Sequence, residues 1–130
     1  MPNMPLMNAF HVTVLREANY AVLRTDGYIN NLGAERIEQE IETLIEQGCR
    51  RFIINFARSP IINSMGLSIL ITIIERMLEV GGVLVFTDLT EVNAETMEIM
   101  GLTQYATLRP SEADGRAFAE QATPPTPSAA

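Results

Sequence analysis

A chain of 130 residues with 47% hydrophobic side chains can bury one core but not two, so a single domain is expected. Its net charge of −7, with nine scattered basic residues that are all arginine, argues against nucleic acid as a partner, because phosphate contacts need clustered cations. One cysteine, Cys49, and one histidine, His11, leave no internal disulfide, no cysteine metal cluster and no histidine pair for a metal or a triad.

Residues 1–9 contain proline and asparagine and carry little periodicity, and are read as a flexible lead-in to a domain over 10–121. The start has neither a basic region nor a long apolar run, so it does not read as a signal peptide. Val12 and Val14 alternate with Thr13 and Leu15, and a second run over 20–25 follows four polar or small residues. That spacing predicts two strands joined by a short turn, ended by Asp26-Gly27. Ile37, Ile41, Leu44 and Ile45 then recur at helical intervals. Asn30 or Asn31 can cap this helix and Gly48 can close it, while its many glutamates read as a solvated face.

The run over 51–67 organises the remainder. Phe52, Ile53, Ile54 and Phe56 suit a strand buried on both faces. Ser59-Pro60 stops regular structure, because proline lacks an N–H and pushes its predecessor out of the helical region. Asn63-Ser64 follows, two short polar side chains able to accept from the free amides of a starting helix, and Gly66 permits a close backbone approach. The helix behind them carries Leu67, Leu70, Ile71, Ile74 and Leu78 on one stripe, with Ile69 and Ile73 elsewhere, which predicts cover on more than one side or a partner. Its apolar run over 67–74 is far shorter than the ~20 residues of a membrane span, so no membrane insertion and a cytoplasmic location are expected.

After Gly81-Gly82, the residues Val83, Leu84, Val85 and Phe86 make a second fully apolar strand, completing a βαβ crossover. Asn93 is expected to cap a short helix through Met100, residues 105–108 to form an edge strand, and Ser111 with Asp114 to open a last helix. The stretch 122–130 is proline-rich with small side chains and is read as a disordered tail. No internal repeat is visible. The order β, β, α, β, α, β, α, β, α implies an α/β fold, one mixed sheet of four to five strands with about four helices packed on it.

A hydroxyl at a helix N-terminus faces unpaired amides and the positive end of the helix dipole, so a phosphate on Ser64 would occupy an anion site. The alternative is that Asn63 and Ser64 only cap the helix, worth about 1 kcal/mol.

In order and spacing, the runs Ile53-Ile54-Asn55-Phe56, Asn63-Ser64-Met65-Gly66-Leu67, Gly81-Gly82-Val83-Leu84-Val85 and Met100-Gly101-Leu102 resemble the STAS domain of bacterial anti-sigma factor antagonists. Gly27-Tyr28-Ile29-Asn30 falls where that family has a Gly-Glu-Leu-Asp type segment, and the resemblance covers about residues 12–118. It implies a non-enzymatic switch without a cofactor. In such proteins the serine of an Asp-Ser-(Ser/Thr)-Gly-Leu motif is phosphorylated by a serine kinase of histidine-kinase-like ATPase fold that is also the anti-sigma factor. The unphosphorylated form binds that kinase, and phosphorylation prevents binding.

By this resemblance Ser64 is the phosphoacceptor, and Asn30, Asn63, Ser64, Met65, Gly66 and Leu67 meet the partner. The chain departs from the pattern at Asn63 and Asn30, where the family has acidic residues, and at Met65, where it has a second hydroxyl. These changes lower the repulsion that a phosphate of about −2 would meet and remove acidic anchors for a partner. They also admit a second reading, a STAS scaffold or ligand-sensing subunit in a signalling or transporter-associated complex. The oligomeric state stays open, a homodimer included.

Overall fold

The computed structural model describes residues 10–123. The lead-in expected over 1–9 and the tail from 124 onward lie outside the described residues, whereas Ala122 still packs against the core. Five strands form one sheet in sequence order: β1 (His11–Arg16), β2 (Ala21–Asp26), β3 (Arg51–Arg58), β4 (Val83–Thr87) and β5 (Thr107–Arg109). β1 and β2 are antiparallel, joined by a short turn, and every later neighbour is parallel.

Four helices connect and cover the strands: α1 (Asn31–Glu46), α2 (Ser64–Val80), α3 (Glu91–Ile99) and α4 (Glu112–Gln121). The three parallel crossovers all step the same way across the sheet, and crossovers of one hand then put α1, α2 and α3 on one face. Ile37 and Ile41 of α1, Leu70 and Ile73 of α2 and Met97 of α3 accordingly share one core cluster with Leu23, Phe52, Ile54, Phe56 and Phe86. Val22, Ile53, Val83 and Val85 point the other way and are covered by α4 through Ala119 and Phe118. Alternate residues of β3 and β4 therefore serve two cores, which is why both strands read as continuous apolar runs.

Several local expectations shift. The stripe that α2 buries is Gly66, Leu70, Ile73, Ile74 and Met77, while Leu67, Ile71 and Leu78 lie at its margins, half-buried. Flanked by α1 and seated on the sheet, the helix needs no partner to cover Ile69 or Ile71, both of which pack on the core. Its end is a left-handed Gly81 at φ 68°, the conformation glycine adopts without a Cβ penalty.

Thr90, not Asn93, caps α3; Thr90 accepts from the Asn93 amide, and Asn93 instead donates its side-chain amide to the carbonyl of Pro60 at 3.0 Å. Both residue types suit a cap, so cap chemistry alone does not separate Thr90 from Asn93. The last strand begins at Thr107, because Leu102–Gln104 form a 3-10 turn that Tyr105 still closes by donating its N–H to Leu102. Ser111 caps α4 as expected, accepting from the Asp114 amide and donating its hydroxyl to the Asp114 carboxylate. No helix of the described residues is long and apolar enough to cross a membrane.

Candidate functional site

Two helix starts lie side by side where β2 and β3 end. Ile29 and Ile62, each one residue before a cap, form an isolated parallel bridge. The Ile29 amide donates to Ile61 at 3.0 Å, and the Asn63 amide donates back to Ile29 at 3.0 Å. Asn30 caps α1 by accepting from the Gly33 amide at 3.0 Å, and Asn63 caps α2 by accepting from the Gly66 amide at 2.8 Å.

The bridge aligns the two segments residue for residue: Ile29 with Ile62, Asn30 with Asn63, Asn31 with Ser64, Leu32 with Met65, and Gly33 with Gly66. No internal repeat was visible in the chain as a string, because the pattern is five residues long and one of its positions carries different polar types. The physical logic is shared: an asparagine caps, and a glycine three residues on supplies the amide it accepts.

Ser64 is the first residue of α2 and is exposed. Asn63 takes the capping role, so the Ser64 hydroxyl makes no hydrogen bond to any described residue. Neither α1 nor α2 carries an acidic residue in its first turn, so neither helix supplies a carboxylate of its own at its positive dipole end. Asn30 and Asn63 are partly buried, held by their caps. Met65 is 58% exposed, whereas Gly66 is buried against the Ile29 backbone and Leu67 packs on the core. Of the residues singled out in the sequence, Ser64 and Met65 thus present side chains outward, and Asn30, Asn63 and Gly66 hold the two segments in place.

Sequence reasoning missed the apolar rim. Tyr28 and Ile61 are half or more exposed, and with Gly27, Arg58 and Pro60 they line a shallow hollow of about 490 Å³. Leu32 stands on α1 where Met65 stands on α2, at 65% exposure. Large apolar side chains grouped around a polar centre are the usual composition of a docking surface. Tyr28 and Ile61 each stand two residues before a cap, positions that a strand-and-helix reading assigns to the core, and only the closing of the sheet shows them exposed. Among the described residues no group of histidine, cysteine and carboxylate side chains is placed to hold a metal.

A second polar centre lies on the opposite face of the sheet. Glu112 at the start of α4 accepts from Arg24 Nε and Nη2, each at 2.8 Å, from Asn55 at 2.9 Å and from Arg116 at 3.1 Å. These donors, Arg24 foremost, pull its carboxyl down to about 2 against the effect of burial. The cluster ties α4 to β2 and β3 and is read as structural.

A mixed α/β domain with an exposed hydroxyl at a helix start is what the fold and site define, and comparison with known proteins places it. A family model described as the STAS domain matches residues 11–115, so the chain belongs to the STAS domain family. Within it the chain groups with the anti-sigma factor antagonists. It is 30% identical over 93 residues to BtrV of Bordetella bronchiseptica, a protein named as an anti-sigma factor antagonist, covering 71% of this chain and 80% of that one. An anti-sigma factor antagonist from Mycobacterium paratuberculosis has the same fold, with a TM-score of 0.75 at 18% identity over 92% of this chain and all of that one. Bacillus SpoIIAA in its phosphorylated form superposes with a TM-score of 0.65 at 21% identity, covering 84% of this chain and 97% of its own.

Proposed function

We propose that the chain is a cytoplasmic, non-enzymatic anti-sigma factor antagonist whose docking to an anti-sigma factor is switched by phosphate on Ser64. The observation that carries this reading is the exposed Ser64 hydroxyl, unbonded among the described residues, in the first turn of α2, which has no acidic residue of its own. A phosphoryl group transferred there from ATP would be met by α2 amides and by the dipole. In the unmodified state the same surface offers Met65, Leu32, Tyr28 and Ile61 to a partner. Adding a charge of about −2 at its centre makes burial of that surface costly. Naming of the relative BtrV as an anti-sigma factor antagonist and the existence of a phosphorylated SpoIIAA support the assignment. The partner implied by the family is a serine kinase of histidine-kinase-like ATPase fold.

No histidine or carboxylate among the described residues hydrogen-bonds to Ser64, so nothing here activates it as a nucleophile, and its role is that of acceptor. The test is incubation with the cognate kinase and ATP, followed by mass spectrometry and binding measurements on Ser64→Ala and Ser64→Asp. Phosphate on Ser64, with binding retained in Ser64→Ala and lost in Ser64→Asp, is the expected result. Absence of phosphate, or equal binding by both variants, overturns it.

Asn30 and Asn63, neutral where the family pattern has acidic residues, favour a second reading in which the same surface docks without phosphotransfer. Pull-down from the host separates the two: a transport ATPase in place of a histidine-kinase-like ATPase supports the scaffold.

A further inference from the structure

The chain enters the described fold at the edge of the apolar hollow that Tyr28 and Ile61 line. β1 runs antiparallel to β2 with His11 opposite Asp26, so each residue ahead of His11 steps past the end of β2 toward Gly27 and Tyr28. Phe10 takes the first of these steps: a Cβ on Gly27 would stand 3.6 Å from its Cα, and one on Gly33 3.1 Å from its ring. Phe10 is thereby held between the end of β2 and the first turn of α1, packed against the core. Gly27, on which it rests, lines the hollow with Tyr28 and Ile61, and exposed Leu32 is the neighbour of Gly33. The residues that precede Phe10 therefore start at the rim of an exposed apolar surface.

Residues 1–9 have the period of neither a helix nor a strand, but methionine recurs every third position, at Met1, Met4 and Met7, with Pro2 and Pro5 behind the first two. Polyproline II backbone has three residues per turn and suits the fixed φ of proline, so it brings the three methionines onto one stripe. The stretch contains no charged side chain, so covering it strips no ion of water. Thioethers adapt to irregular apolar surfaces, and proline-rich segments of this conformation dock where aromatic side chains rim a hollow, as Tyr28 rims this one. At ~3.1 Å per residue, Met7 and Met4 lie at most roughly 9 and 19 Å back from Phe10, within reach of the surface beside it.

We propose that residues 1–9 fold back over the hollow and seat Met4 and Met7 on Tyr28 and Ile61, an internal cover for the docking surface. The exit point and the spacing carry the cover itself; its consequence, competition with an anti-sigma factor, rests on the docking function proposed for this surface. A partner then binds only the uncovered fraction of molecules, and its apparent affinity falls by that fraction.

The test is NMR of the full chain with carbon-13 in its methionine methyl groups. Cross-peaks from the Met4 and Met7 methyls to the Tyr28 ring are expected, at shifts that do not change on dilution. In the double variant Met4→Gln, Met7→Gln, the amide resonances of Tyr28, Leu32 and Ile61 are expected to move while those of the sheet stay, since both substitutions precede the domain. The same variant is expected to bind the cognate anti-sigma factor about two- to fivefold more tightly, as a cover closed in roughly half to four fifths of molecules requires. Methyl shifts of a free peptide, with no cross-peak to the domain, overturn the cover. Shifts that drift to free values on dilution overturn it too, because they place the segment on a second copy. Cross-peaks with parental affinity in the double variant overturn the competition. Failure of parent and variant alike to bind the anti-sigma factor overturns the docking function and the competition with it, while the cross-peaks alone decide the cover.

Discussion

The backbone carbonyl of Ile29 occupies the space that a Cβ on residue 66 would need, and it also accepts the amide of Asn63 at 3.0 Å. One peptide group therefore locks the α1 entry to the α2 entry, and only glycine fits opposite it. Gly66→Ala forces the two segments apart, at a cost of about 1–3 kcal/mol for an overpacked buried site. Urea denaturation is expected to show that loss, and partner binding is expected to fall further than stability, since Ser64 and Met65 move with the displaced turn. A variant as stable as the parent contradicts the close packing.

Asn63 separates capping from charge. Asn63→Ala removes the acceptor for the Gly66 amide and is expected to cost about 1 kcal/mol. Asn63→Asp keeps an acceptor and adds a charge at the positive helix end, worth about 0.3–1 kcal/mol of added stability at low salt. Phosphate on Ser64 reverses that order, because an aspartate next to it repels the new charge. Thermal melts of both proteins before and after phosphorylation check this: modification is expected to raise the melting temperature of the parent more than that of Asn63→Asp.

Acid acts through Glu112. Its carboxyl sits at about 2 in the folded protein, held there first by Arg24 and then by Asn55 and Arg116, against an ordinary value of 4.5. A folded-state value below the unfolded one means that the group stabilises the fold above about 4.5, and that this contribution is lost as pH falls from there toward 2. Glu112→Gln is expected to cost about 1–3 kcal/mol at neutral pH through weakened bonds to charged donors. Its urea midpoint is expected to fall less steeply than the parent's between those pH values, and parallel profiles would contradict the assignment.

The fold was legible because its signals are local and strong. Apolar runs such as Phe52 to Phe56 have one reading in a chain this short, and glycine and proline mark where each element stops. The cap of α3 was misplaced at Asn93 because Thr90 and Asn93 satisfy the same cap chemistry, and only the loop path after β4, which carries Asn93 to Pro60, decides between them. The place of Ser64 at a helix start was legible too. Tyr28, Ile61 and the Arg24–Glu112 cluster were not, because exposure and partners 88 residues apart depend on how the sheet closes, not on any spacing along the chain.

The apolar rim supplies the remaining test of the docking surface. Tyr28 and Ile61 contribute little to the core, being 50% and 60% exposed, so Tyr28→Ala and Ile61→Ala are each expected to change stability by less than about 0.5 kcal/mol. Where a partner buries them around the polar centre, truncating such large side chains is expected to remove about 1–2 kcal/mol, or roughly tenfold in affinity. Ile99, at 78% exposure on the last turn of α3, is the control, since it is as apolar and more exposed but lies at the other end of that helix from Asn93 and Pro60. Calorimetric titration with the anti-sigma factor is expected to show weakened binding for Tyr28→Ala and Ile61→Ala and parental affinity for Ile99→Ala. The reverse pattern would move the docking surface to the α3 corner and leave the first turn of α2 without a partner to switch.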